Sequence, residues 1–557
     1  MFRDVTMVVT DVQNWDRQQD VIVIGSGTGM AAALGASEEG ADVLVLEKAP
    51  KIGGTTAVSG GVSWVGNSHP VVESVGETPT EDIVEYLYQV AGGRTSRDRL
   101  RHFLETGPEV YEYLEAETPL SFVHVDGMSD YYSDIPGAHE AGRGIEPDLY
   151  DGDRLGEALA DVRESPQSPI PVKYSEMEEA GGANVYATRA DYEMIAERME
   201  KNLLSGGRAL VAGLYEAALD RDIAFEMNAP AEDLVVENGT VVGVVATIDG
   251  EKTTIEATGG VVIAAGGLEW DDEMATNFLR GPMESPMSPP YNEGDGIEMG
   301  TEAGAKLANM NEAWWNTAVE VPGEKWEDGN NVARVASGRY LPGAILVNDA
   351  GERFGNESAP YNDLGKRFHD FDTTTRSYEN LPAYQIMDHD FRESYAMAGT
   401  VLPGDELPDW IAVADTLEEL AEIIDVDAEG LQETVEQFNE HAADGEDPEY
   451  HSGEKAYDRH MGDPDADHPN LAPLTEAPFY AYEIKIGAMG TKGGLVTTAD
   501  AEVVNNHDDP IPGLYASSNS AAHLMGTGYS GGGATIGPNV VYGFIAGKNA
   551  ANRVKQN

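Results

Sequence analysis

Four consecutive apolar residues, Val21–Ile24, run into a glycine cluster, and Met30, Ala31, Ala32, Ala33 and Leu34 follow without a polar break. A short unbroken apolar run fits a strand buried on both faces, and the small residues after it fit a helix packed tightly on that strand. Gly40 ends the helix and Val43–Leu46 supplies a second buried strand, which predicts a βαβ unit with Glu47 at its tip. Helices are predicted around Glu81–Ala91 and Asp191–Leu204. Further on, LVVENGTVVGVVATIDGEKTTIEATGGVVIAAGG reads as a hairpin turning on Asn238-Gly239, a third strand after Asp249-Gly250, and a buried strand over Val261–Ala265. From about Arg280 the pattern becomes irregular, with mixed loops, the Trp314-Trp315 pair, and short strands such as AILVND and AYQIMD. The last segment predicts a strand at Leu514–Ser517 and a final helix. Pro538 suits the first turn of that helix, Val540, Val541, Phe544 and Ile545 give it an apolar face, and Lys548, Arg553 and Lys555 favour its negative end.

Two glycine clusters compete as a nucleotide loop. Gly526, Gly528 and Gly531 make the only strict G-x-G-x-x-G, yet the strand before them ends nine positions too early and no acid follows Pro538. The cluster Gly25, Ser26, Gly27, Thr28, Gly29, Met30 breaks the strict pattern at Met30 but has a strand before it, a helix after it, and Glu47, 22 residues beyond Gly25, where an acid meets a ribose hydroxyl. Gly25 permits the tight turn, Gly27 lets backbone approach a pyrophosphate, and the helix N-terminus offers free N–H groups. Gly29 or Ala31 can take the packing role of the third glycine. One dinucleotide site is therefore expected, and the loop Lys51–Gly61, rich in small and hydroxyl residues, suits a flat flavin lying along backbone. The fold class is α/β, a Rossmann-like FAD-binding domain of the two-dinucleotide flavoprotein type; that an α+β catalytic domain is inserted in it is what a family resemblance of these segments implies. The expected boundaries are 1–19 for an N-terminal extension, 20–280 and 485–557 for the two pieces of the FAD domain, and 281–484 for the substrate domain.

Composition narrows the partners. Of 557 residues, 99 are acidic and 35 basic, a formal charge of −64, while 41% are hydrophobic, enough for ordinary cores. Self-repulsion at that charge density implies a salt-rich cytoplasm of the kind extreme halophiles keep, and argues against nucleic acid or anionic membrane partners. Cysteine is absent, which removes thiol nucleophiles, disulfides and iron–sulfur ligation, so redox chemistry needs a bound organic cofactor. No apolar run is long enough to span a bilayer, and the N-terminus lacks a basic start followed by an apolar core. The stretch HMGDPDADH, His460–His468, has metal-ligand residue types but reads as a solvated loop in so acidic a chain; no metal is expected.

Several stretches resemble the 3-ketosteroid Δ1-dehydrogenases of the fumarate reductase and ketosteroid dehydrogenase superfamily: IGSGTGMAAAL, EKAPKIGGTTAVSGG, Asp130-Tyr131-Tyr132, GERFGNESAPYNDLG, AYQIMD, GTKGGLVTTADAEV, GLYASSNSAA and GYSGGGATIGPNVVYG. The resemblance covers nearly the whole chain in the family's order. It implies non-covalent FAD with a steroid bound against it, Tyr529 and the Gly533 N–H holding the 3-ketone, and Tyr361 as base for the C2 proton with Tyr131 hydrogen-bonded to it. The C1 hydride goes to flavin N5. Two donors aimed at the ketone oxygen stabilise developing enolate charge, and a phenol of ordinary pKa about 10 needs a partner for its phenolate. The resemblance also implies cofactor contacts at Gly25–Met30, Glu47, Lys48, Gly53, Gly54, Thr55, Thr56, Ser59, Gly60, Gly61, Ala265, Gly266, Asn519, Thr535 and Ile536. A fumarate-reductase-like enzyme is the alternative, but Tyr529 and SAPY stand where it carries arginines for a dicarboxylate. A Δ4-dehydrogenase or another cyclic-ketone oxidoreductase is a further alternative, with Tyr131 favouring Δ1; a flavin electron carrier would not need a separate substrate domain. The electron acceptor stays open among dioxygen, a quinone and another flavoprotein.

Overall fold

The computed structural model describes residues 12–167 and 169–555, so most of the expected N-terminal extension lies outside the described residues. The first strand, Arg17–Ile24, already takes in three residues assigned to that extension. It pairs in parallel with Val43–Glu47 on one side and Glu251–Ile263 on the other. Ala224–Met227 and Pro510–Ala516 extend this parallel sheet outward. All five residues of Val43–Glu47 are buried, as a parallel strand covered on both faces requires.

The expected hairpin forms between Ala231–Glu237 and Thr240–Ile248. Asn238 and Gly239 (φ 52° and 79°), and Asp249 and Gly250 (φ 52° and 80°), all take the left-handed backbone that such two-residue turns demand. The third strand and the buried strand expected after it are one continuous strand, Glu251–Ile263. Its first half pairs antiparallel with Thr240–Ile248 and its second half enters the parallel sheet, so no turn is needed between them. Helices at Thr80–Val90 and Tyr192–Glu200 match the expected positions, but Leu203-Leu204 pairs as a short strand with Tyr150-Asp151 and ends the second helix early.

The second sheet has the order Asn331–Val335, Ala313–Lys325, Phe479–Thr491, Ala383–Met387, Ala344–Asn348. The helices Leu417–Ile424 and Ala428–Ala442 cover it through Leu420, Ala421, Leu431 and Val435. The expected boundary at 484 falls inside Phe479–Thr491. That strand runs on past it, so residues just beyond 484 belong to the second sheet by pairing. The chain then returns to the first sheet at Pro510–Ala516 and ends in the helix Ile536–Val554, which lies on the helix Gly29–Glu38. Contact there is backbone to backbone: a Cβ on Gly35 would sit 2.5 Å from the Phe544 carbonyl oxygen, and one on Gly547 would sit 1.8 Å from that of Ala32.

Candidate active site

A single cavity of about 740 Å³ opens between the glycine turn of the first sheet and residues of the second. On its first-sheet side, Gly25 (φ +101°) donates its N–H to the Leu46 carbonyl at 2.8 Å, and a Cβ at this position would lie 2.3 Å from the Ala264 oxygen. Only glycine fits there. Glu47 Oε2 accepts both the N–H (3.0 Å) and the hydroxyl (2.6 Å) of Ser26, and Gly53 N–H donates to the same hydroxyl at 2.9 Å. Glu47 therefore locks the turn from which Gly27 and Thr28 face the cavity.

The residues fit a dinucleotide on two independent counts. The Thr28 hydroxyl is buried on the cavity wall with no partner among the described residues, at the uncapped start of the helix Gly29–Glu38. Arg163, also buried on the wall, leaves Nε and Nη2 without partners and lies over the ring of Tyr291. Free N–H groups, a free hydroxyl and a half-satisfied guanidinium suit an anion such as a diphosphate.

Along the same wall run Lys48, Gly54, Thr55, Thr56, Ser59, Gly60 and Gly61, then Ala265, Gly266, Asn519, Thr535 and Ile536. Thr55 accepts a hydrogen bond from Asn292 at 3.0 Å, and Asn519 accepts from the Trp314 indole at 3.2 Å. Gly29, Met30 and Gly53 are not on the wall. Gly29 takes the close-packing role, since its Cβ would approach Val23 and Ala264 to 3.1 Å; Met30 is fully buried in the core, and Gly53 packs on Ala57 and Val211.

The far side holds three tyrosines. Tyr131 and Tyr361 hydroxyls are 2.8 Å apart, and both rings lie 5.2 Å from the Tyr529 ring, Tyr131 stacked on it and Tyr361 edge-on. Burial is the main cause that raises all three pKa values; for Tyr361 the neighbouring phenols add to it. The resting site therefore keeps its phenols protonated. Thr535 donates to the Tyr529 hydroxyl at 3.2 Å. Gly533 (φ +85°) has its carbonyl taken by the N–H groups of Trp64 and Gly537, while no described residue accepts its own N–H, and it lines the cavity together with Tyr529.

The loop carrying Tyr131 is held from behind. Asp130 binds Arg143, accepts from the Trp64 indole at 2.8 Å and from the His139 N–H at 2.9 Å, and Tyr131 N–H donates to the Ser530 carbonyl at 3.0 Å. Lys492 completes the support: its ammonium donates to Asn362 at 2.9 Å and to the Gly528 carbonyl at 2.7 Å and lies over the Trp314 ring, tying the residue after Tyr361 to the residue before Tyr529. Burial and then Lys366 lower its pKa.

Sequence reasoning missed Lys492, although GTKGG was in view, and missed Tyr174, Glu178 and His460, which also line the cavity. His460 lies on the short helix Ala456–Met461 and is mostly buried, not on the solvated loop expected for His460–His468. Among the described residues, every cation on the wall is ion-paired: Lys48 with Glu293 and Asp295, Arg163 with Glu327, Arg334 with Glu324. No free arginine pair is present for a dicarboxylate, and no described helix is long and apolar enough to cross a membrane.

Comparison with known proteins now bears on these features. The model of the FAD binding domain family matches residues 20–536. A 3-oxosteroid 1-dehydrogenase from Mycolicibacterium smegmatis is 35% identical across 96% of this chain and 97% of its own length. The chain belongs to the FAD-dependent 3-ketosteroid Δ1-dehydrogenase family. The family's solved 3-ketosteroid delta1-dehydrogenase from Sterolibacterium denitrificans, in complex with 1,4-androstadiene-3,17-dione, superposes with a TM-score of 0.89 at 35% identity, covering 96% of this chain and all of that one. A 4-oxocyclohexanecarboxylate 2-dehydrogenase from Sinomonas cyclohexanicum is 38% identical over 96% of this chain and 93% of its own length. The protein is thus an FAD-dependent oxidoreductase that acts on CH–CH bonds.

Proposed function

We propose that the protein introduces the Δ1 double bond into an uncharged 3-keto steroid, taking the proton from C2 and the hydride from C1. The observation that carries this reading is the pairing of Tyr361 with Tyr131 at 2.8 Å beside Tyr529 and the open Gly533 N–H in one cavity. Tyr529 and Gly533 donate to the C3 oxygen and draw off charge as C2 loses its proton. Tyr361 receives that proton in its phenolate form, with the Tyr131 hydroxyl 2.8 Å away as its hydrogen-bond partner. Because burial holds the Tyr361 pKa well above its usual value, the reactive form is scarce at neutrality and grows with pH. Bound FAD supplies the hydride acceptor. The ring ketone of 4-oxocyclohexanecarboxylate would satisfy the same donors, but among the described residues its carboxylate would find no cation on the wall that is not already ion-paired. The formal charge of −64 supports a salt-rich cytoplasm as the setting.

The test is anaerobic bleaching of the flavin band in molar potassium chloride. We expect a 3-keto-4-ene steroid to bleach it and succinate to leave it unchanged, with the bleaching rate rising with pH and Tyr361→Phe removing both. Bleaching by succinate, or a pH-independent rate, would overturn the assignment.

A further inference from the structure

Two six-residue helices contribute residues to the cavity wall. Residues three and four apart share a helix face, and on Tyr174–Glu179 that face carries Tyr174, Met177 and Glu178; on Ala456–Met461 it carries Tyr457, His460 and Met461. Tyr457 packs on Tyr131 with ring centroids 4.7 Å apart, and the Tyr174 ring is so close to the Gly60 backbone that a Cβ there would lie 2.3 Å from it. Met177 and Met461 line the cavity from these faces, and Glu178 and His460 are the polar residues beside them. These two meet, His460 Nδ1 standing 3.6 Å from Glu178 Oε2.

Behind them is a second cavity of about 430 Å³ that shares Glu178 and His460 with the first and is otherwise walled by polar residues such as His124, Asp126 and Arg459. The pair is therefore the partition at which the substrate cavity stops. We propose that Glu178 and His460 form the end wall that recognises the part of the substrate farthest from its reacting ketone. They favour an uncharged molecule with a hydrogen-bonding carbonyl or hydroxyl there and reject a carboxylate. The inference rests on the steroid reading above and names the recognition at its other end.

The chemistry of the pair fits this role. Burial pushes the Glu178 carboxyl up to about 7 and the His460 imidazole down to about 4, so at neutrality the imidazole is uncharged and the carboxyl keeps a proton part of the time, which lets the wall both donate and accept. A substrate carboxylate arriving here would face Glu178 with every described wall cation already ion-paired, at Lys48, Arg163 and Arg334.

The experiment measures kcat/KM of the holoenzyme, with a dye as electron acceptor, for 4-androstene-3,17-dione, the same steroid lacking the C17 oxygen, its C17-carboxylate analogue, and 4-oxocyclohexanecarboxylate. One lost hydrogen bond is worth about tenfold, so the dione should exceed the deoxy steroid by about that factor, and the carboxylate should fall about 100-fold or more below the dione. In Glu178→Leu and in His460→Phe the dione-to-deoxy ratio should collapse toward one, and Glu178→Lys should raise the carboxylate relative to the dione at least about tenfold. Ratios are read because a variant that merely disturbs folding or chemistry lowers all substrates together; equal losses in all three variants would overturn the proposal. So would a wild-type enzyme that uses the three steroids equally, which leaves the steroid reading standing. Turnover of 4-oxocyclohexanecarboxylate with none of any steroid would overturn both.

Discussion

The turn at Gly25–Gly29 and the turn at Gly526–Gly533 each lead toward a helix, and the two helices lie against each other. At the first, a strand ends directly in the turn, Glu47 fastens it through Ser26, and unpartnered groups are left at the helix start. At the second, the strand ends at Ala516, a 3-10 turn at Ser518–Ser520 intervenes, and the glycines are fixed from below instead. Lys492 holds the Gly528 carbonyl, and Tyr86 and Tyr131 hold that of Ser530. If the first turn holds the nucleotide and the second cradles the substrate carbonyl, as we propose, what distinguishes them is what precedes and anchors the glycines, since glycine serves both through close approach of backbone to a ligand.

The comparison is broken most severely at the first turn. Gly25→Ala combines an unfavourable φ with a 2.3 Å clash on the Ala264 carbonyl, and we expect the purified protein to lack flavin altogether, read from the ratio of flavin to protein absorbance. The second turn should respond differently. Tyr529→Phe is expected to keep a full flavin complement yet lose about 10²–10³ in kcat, the usual cost of one donor to a developing oxyanion; a matching loss of flavin would erase the distinction. The smallest effect separates the two turns by pH. Asp458, next to Tyr457 beneath the tyrosines, is fully buried, and burial raises its pKa to about 6. Between about pH 4 and 6 the folded chain keeps a proton that the unfolded chain has released, so stability falls as pH rises through that window, by on the order of 2–3 kcal/mol in the limit. The thermal midpoint of Asp458→Asn should lose that part of the slope, which isolates the residue from the general repulsion of an acidic chain.

Much of this was legible before any coordinates. The βαβ unit and the hairpins were readable because two-residue turns require left-handed backbone, which Asn238-Gly239 and Asp249-Gly250 announce. The tyrosines were reachable through the motifs around them. The end wall was not: YSEMEE and AYDRHM are too short to show a helical period, and a glutamate or histidine at such a position reads as surface until a second helix is placed against it. The expected boundary at 484 lies within FYAYEIKIGAMGT, which runs as one continuous strand through Gly487 and Gly490, so its glycines mark no break in the pairing.

The seating of the last helix on the first also governs how the protein comes into being. Gly25 and Thr535 face one cavity from opposite ends of the chain, and the strand Pro510–Ala516 must pair with Glu251–Ile263 before that helix can dock. On the ribosome the N-terminal βαβ unit emerges first and waits, with its small-residue helix uncovered, for nearly the whole polypeptide to follow. Contacts of such long sequence separation form late and leave apolar surface in the open meanwhile. The wall that Gly25 begins is therefore complete only once Thr535 and Ile536 have been made.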